Sequence, residues 1–86
     1  DPARNAWAVY QMRDVKRLPN GNFLVAHQHQ HVVNEYGPDG RLVRTIYKSK
    51  RGGPICVWRC ENGNTVVGFA EGRSAAVREI DPSGKV

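Results

Sequence analysis

The sequence predicts an all-β chain built as two copies of one four-stranded antiparallel unit, and three observations carry that prediction. Asn20-Gly21-Asn22 recurs as Asn62-Gly63-Asn64 at an offset of 42 residues, and Gly40 recurs as Gly84 at an offset of 44. Each copy runs from that turn through an apolar stretch (23–26 and 65–70) and a further strand-like stretch (32–36 and 75–80) to a second turn. The second turn is Gly37-Pro38-Asp39-Gly40 in one copy and Asp81-Pro82-Ser83-Gly84 in the other. A fixed period of this length, in a sequence so rich in strands and turns, is the signature of a β-propeller of four-stranded blades.

Residues 1–5 read as an irregular lead-in, and residues 6–11 as a strand with Trp7, Val9 and Gln11 on one face and Ala8 and Tyr10 on the other. That strand has no partner before it. Residues 13–18 alternate charged and apolar side chains and form the innermost strand of a first blade, about 13–47. Asn20-Gly21 is expected to make a two-residue hairpin with positive φ angles. Residues 23–26, Phe-Leu-Val-Ala, are continuously apolar, as in a strand covered on both faces. A turn within residues 27–30 leads to a third strand at 31–36, and the Pro38 turn leads to an outermost strand at 42–47.

Residues 48–54 form a charged, glycine-rich loop to a second blade, about 55–86. Its strands are 55–60, 65–70 and 75–80, with a turn at Glu71-Gly72-Arg73-Ser74, and Asp81-Pro82-Ser83-Gly84 announces a fourth strand. One strand, then four, then three make two blades' worth only if residues 6–11 complete a last blade. Within one chain the ends lie too far apart, so the expected solution is strand exchange between copies. Two blades alone also leave large apolar faces uncovered, and repeat units of this kind need about three or more neighbours to bury a core. The expected partner is the chain itself, as a homotrimer of six blades or a homotetramer of eight, within the usual range of about four to eight. The competing expectation is that the segment belongs to a longer chain that supplies the other blades.

The motifs at residues 18–26, Leu-Pro-Asn-Gly-Asn-Phe-Leu-Val-Ala, and 32–43, Val-Val-Asn-Glu-Tyr-Gly-Pro-Asp-Gly-Arg-Leu-Val, resemble the repeats of quinoprotein-like and arylsulfotransferase-like β-propellers. Residues 78–86, Arg-Glu-Ile-Asp-Pro-Ser-Gly-Lys-Val, fit the second motif again. The resemblance implies the propeller fold and a periplasmic or secreted location. Enzymes of those families work in a central channel, with histidines and arginines or a quinone cofactor. The motif residues here are turn-formers and strand-fillers, so no catalytic position carries over and the chain reads as non-enzymatic. The alternative is a scaffold fragment of a larger enzyme of that type.

Ligand chemistry has two candidate locations. The innermost strands bring Arg13, Lys16 and Arg17 in one repeat and Trp58 and Arg59 in the other to the channel, where rings of positive charge would hold an anion. Solvated channel rims are the competing reading. His27, His29 and His31 would share a face on an uninterrupted strand and suit a divalent transition metal. The repeat places a turn there instead, which would set His27 across from His31 and turn His29 away, so polar turn residues are the simpler reading and no cofactor is assigned.

The net charge is +5, with six basic residues and no acidic one between Arg41 and Arg59. Such a run attracts an anion or nucleic acid, or forms a solvated outer strand and loop. Cys56 and Cys60, four apart on one strand, would lie about 13 Å apart, too far for a disulfide and wrongly spaced for structural zinc. No run approaches the ~20 apolar residues of a transmembrane helix. Ser49, Ser74 and Ser83 fall in loops or turns with no histidine and acid placed beside them, and Asp39 and Asp81 are explained by turn chemistry.

Overall fold

The computed structural model describes residues 12–50, 52–71 and 74–86, and the expected strand at 6–11 lies outside them. The described chain is all-β, with seven strands in two antiparallel sheets and no helix. Sheet one contains β1 (Asp14–Arg17), β2 (Phe23–His27), β3 (Val32–Tyr36) and β4 (Leu42–Lys48), in that order. Sheet two contains β5 (Gly53–Arg59), β6 (Thr65–Glu71) and β7 (Ser74–Ile80).

The repeat seen in the sequence is also a repeat of register. Arg17 pairs with Phe23 and Leu24 with Glu35 in sheet one, as Arg59 pairs with Thr65 and Val66 with Glu79 in sheet two. Four turns share one design, and three of them, beginning at Leu18, Gly37 and Cys60, join paired strands and set this register. In the first, Gly21 N–H donates to the Leu18 carbonyl (2.9 Å) and Leu18 N–H to the Asn22 carbonyl (2.8 Å). The same pair of bonds closes the turns beginning at Gly37, Cys60 and Asp81.

This corrects the expected two-residue Asn-Gly hairpin. The loop has three residues, and of Asn20 and Gly21 only Gly21 takes a positive φ, at 90°. Asn20 instead accepts the Asn22 N–H through Oδ1 (2.9 Å), and Asn62 does the same for Asn64 (3.0 Å). In three of the four turns an Asx side chain, Asn20, Asp39 or Asn62, sits in the middle and accepts the N–H two residues on; in the fourth, Asp81 opens the turn and its Oδ1 accepts from the Ser83 and Lys85 N–H groups, and a glycine follows the middle residue in all four.

Several strand limits also move. His27 belongs to β2 and faces Val32, whereas His31 lies in the turn at φ 57° instead of opening β3. Strand β5 begins at Gly53, before the expected residue 55, because Gly53 and Pro54 pair with Ala70 and Phe69. Glu71 and Ser74 are strand residues paired with each other.

The apolar run of β2 is covered, as its composition requires: Leu24, Val25 and Ala26 are fully buried. Leu24, Ala26, Val33 and Ile46 of sheet one meet Val57, Val67, Phe69 and Ile80 of sheet two in one core. Tyr47 adds an edge-to-face contact with Phe69 at 5.9 Å between ring centres. Each of the larger of these side chains contributes about 1.5–3 kcal/mol by leaving water.

Strand β5 lies across β1, β2 and β3. Where β5 starts, the two sheets come so close that a Cβ on Gly53 would stand 2.5 Å from both Cγ and the carbonyl oxygen of Gln28. A backbone oxygen cannot swing aside, so Gly53→Ala is expected to destabilise the chain by about 1–3 kcal/mol. Urea denaturation followed by circular dichroism checks this, and an unchanged midpoint would contradict the close approach.

Candidate functional site

The edge strands β1 and β5 end side by side, and Lys16, Arg17, Leu18, Pro19, Trp58 and Arg59 line a cleft of about 220 Å³ between them. Four of the five residues expected to hold a ligand thus come together. The fifth, Arg13, does not join them: it lines a separate cleft of about 300 Å³ with Met12, Gln28 and His29.

Most of the positive charge in the first cleft is already engaged. Lys16 Nζ donates to both carboxylate oxygens of Asp14 at 2.9 Å. Arg59 donates through Nε to Thr65 Oγ1 (3.0 Å) and through a terminal nitrogen to Glu35 Oε1 (3.2 Å). Arg17 is exposed, with its guanidinium 5.8 Å from the centre of the Phe23 ring. Among the described residues Arg17 is thus the cation of this cleft that forms no ion pair, and it lies in the cleft with the exposed indole of Trp58.

Glu35, which the sequence reading did not single out, organises the region. It is buried on β3 and accepts from Asn22 Nδ2 (2.8 Å), Arg59 (3.2 Å) and Arg44 Nε (3.4 Å). These bonds join a turn, the edge strand β4 and the other sheet at one carboxylate. Asp14 acts similarly across the sheets, accepting the Val57 backbone N–H at 3.0 Å. A signal for Glu35 was present: Asn22 and Glu35 recur as Asn64 and Glu79, and Asn64 Nδ2 donates to Glu79 Oε2 at 2.7 Å.

The histidines do not converge. His27 is buried, with Nε2 2.7 Å from the Tyr36 hydroxyl, which also accepts from Asn34 Nδ2 (3.0 Å). Thr45 Oγ1 donates to Asn34 Oδ1 (2.8 Å), completing an internal polar network. His29 is exposed, and His31 is in the turn and does not face His27. Among the described residues no three His, Cys, Asp or Glu side chains are placed to hold a metal ion together.

The basic run is partly neutralised within the chain. Arg41 pairs with Asp39 at 3.6 Å, Arg44 and Arg59 pair with Glu35, and Arg51 lies outside the described residues. Cys56, exposed, and Cys60, half-buried, are free thiols. Compared with models of known protein families the chain matches none, and no curated protein is significantly similar to it.

Burial by itself would raise the Glu35 carboxyl, but the hydrogen bonds from Asn22 and Arg59 and the charges of Arg59 and Arg44 outweigh it. They hold its pKa below the usual glutamate range. At Asp14 burial is likewise outweighed, by the Lys16 ammonium and the Val57 N–H, and that carboxyl is also lowered. Both groups thus titrate lower in the folded chain than in the unfolded one. As pH falls the unfolded chain takes up protons first, so their stabilisation is complete above about pH 5 and is lost below it, down through the folded pKa values.

The urea midpoint is therefore expected to fall as pH drops from about 5 to about 3. Glu35→Gln should flatten that slope and cost on the order of 2 kcal/mol at neutral pH. A variant with the parent's slope would mean that Glu35 does not carry the acid sensitivity.

Proposed function

We propose that this chain is a non-enzymatic β-propeller module, two blades that assemble with further copies into a closed ring of six or eight. The observation that carries this reading is the outer face of sheet two. Trp58 is 61% exposed and Val77 75% exposed, with Cys56 and Ala75 also open to solvent. At the corresponding positions of the repeat, sheet one presents Lys16, Val33, Asp14 and His31. The core of that same face, Leu24, Ala26 and Val33, is covered by sheet two.

An exposed face that repeats a covered one is best explained by another sheet lying on it. Sheet two supports this further at its edge. It has three strands among the described residues, and the Asp81 turn reverses the chain beyond β7. Any ligand of the assembly would be held at the cleft of Lys16, Arg17, Trp58 and Arg59, at the channel.

The second reading is a scaffold segment of a larger quinoprotein-like or arylsulfotransferase-like enzyme, in which the next blade comes from the same chain. The motifs at 18–26, 32–43 and 78–86 favour it as much as they favour the ring. Light scattering on a sizing column separates the two. The ring predicts a mass of three or four chains, whereas a folded monomer would overturn it in favour of the longer chain.

A further inference from the structure

We infer that the outer face of sheet two is the seat for strand β1 of a second copy, with Arg17 of that copy bound to Glu79. This inference rests on the self-assembly reading and gives its interface a chemistry. It follows from a contact the chain already makes once within itself. Arg59, on the strand that crosses sheet one, reaches Glu35, a carboxylate held in place by Asn22. Two residues before Arg59, Val57 enters the core with Leu24, Ala26 and Val33.

The repeat provides each half of that contact a second time, on opposite sides of the molecule. On the outer face of sheet two, Glu79 is held by Asn64 as Glu35 is held by Asn22. Val66, Gly68 and Val77 stand where Leu24, Ala26 and Val33 stand in sheet one. On β1, Arg17 stands where Arg59 does, each paired across the strands with the first residue of the next strand, Phe23 or Thr65. Val15 stands where Val57 does.

At β1 and at Glu79 the two halves are open. Val15 is 39% exposed and Arg17 is exposed, and so is Glu79. Among the described residues neither Arg17 nor Glu79 forms an ion pair. The equivalence is drawn at β1 because the deeper residues of that face, Val25 and His27, are already buried.

The occupant is a second copy because the missing halves match in charge and in repeat position. An exposed carboxylate, pre-oriented by an amide, lacks a guanidinium, and an exposed guanidinium at the matching repeat position lacks a carboxylate. Charge complementarity of this kind sets register and excludes wrong partners. The surface offered differs from the surface received, so the contact is head-to-tail and propagates until it closes into a ring. In the ring Trp58 would come beside Lys16 of the neighbouring copy, as Lys16 and Trp58 already share a cleft within one chain.

The test is a charge exchange on the full chain, read as mass by light scattering over a dilution series, with circular dichroism to confirm folding. Both residues are exposed, so the variants Glu79→Arg and Arg17→Glu should fold. Each alone places like charges at every junction and is expected to raise the dissociation midpoint by roughly tenfold or more. The double variant, with the charges exchanged, is expected to recover the parent's mass. If the parent assembles but the single variants do so equally well, or the double fails to recover, the Arg17–Glu79 contact is wrong and self-assembly stands. A parent that is monomeric throughout overturns both.

Discussion

The carboxylate of Glu35 receives a turn amide from its own sheet, a guanidinium from the neighbouring strand β4 and a second guanidinium from the other sheet. Nearly excluded from solvent, it has little water to replace any of the three. Its donors must all be present, and they can be present only if the Asn22 turn, the register of β3 on β4 and the crossing of β5 are all correct. The apolar core supplies most of the driving force but is tolerant of sliding. The carboxylate is not, and it makes one relative placement of the sheets better than its neighbours.

The turns determine what reaches that point. Each carries the same two backbone bonds and a glycine at positive φ, and three of the four pin a hairpin. Because register is set at the turn, every side chain beyond it is assigned to a face. That is why Asn22 and Glu35 meet, and why Asn64 and Glu79 meet in the same way in sheet two. The repeat is therefore one of interactions as well as of residue types.

Among the described residues, equivalent positions of the two repeats are unequally covered, and this asymmetry leads to the functional reading. Glu35 has two arginines, while among the described residues Glu79 is held by Asn64 and forms no ion pair. Leu24 and Val33 are buried, while Val77 is largely exposed. Such a difference between equivalent positions reflects what lies across from each sheet, and it directs attention to the surface where the next sheet would lie. Ligand chemistry is second to this, because in the cleft at β1 and β5 Lys16 and Arg59 are already committed to carboxylates within the chain.

The strands, the four turn positions and the apolar character of β2 were legible in the sequence, because they depend on neighbours within about five residues. Asn-Gly and Pro-Asp-Gly report backbone conformation, and strand alternation reports side-chain direction. So was the grouping of Lys16, Arg17, Trp58 and Arg59, since the repeat places both innermost strands alike. The separation of Arg13 from that group, the burial of His27 against Tyr36 and the role of Glu35 were not legible. Each depends on what stands across a sheet or on the next strand, and no local period encodes that. Glu35 and Glu79 occupy the same place in the same motif, yet one is buried and one exposed. Sequence by itself determined the repeating unit of strands and turns; only the tertiary structure decided which copy of the unit is covered, because burial is set by neighbours distant along the chain.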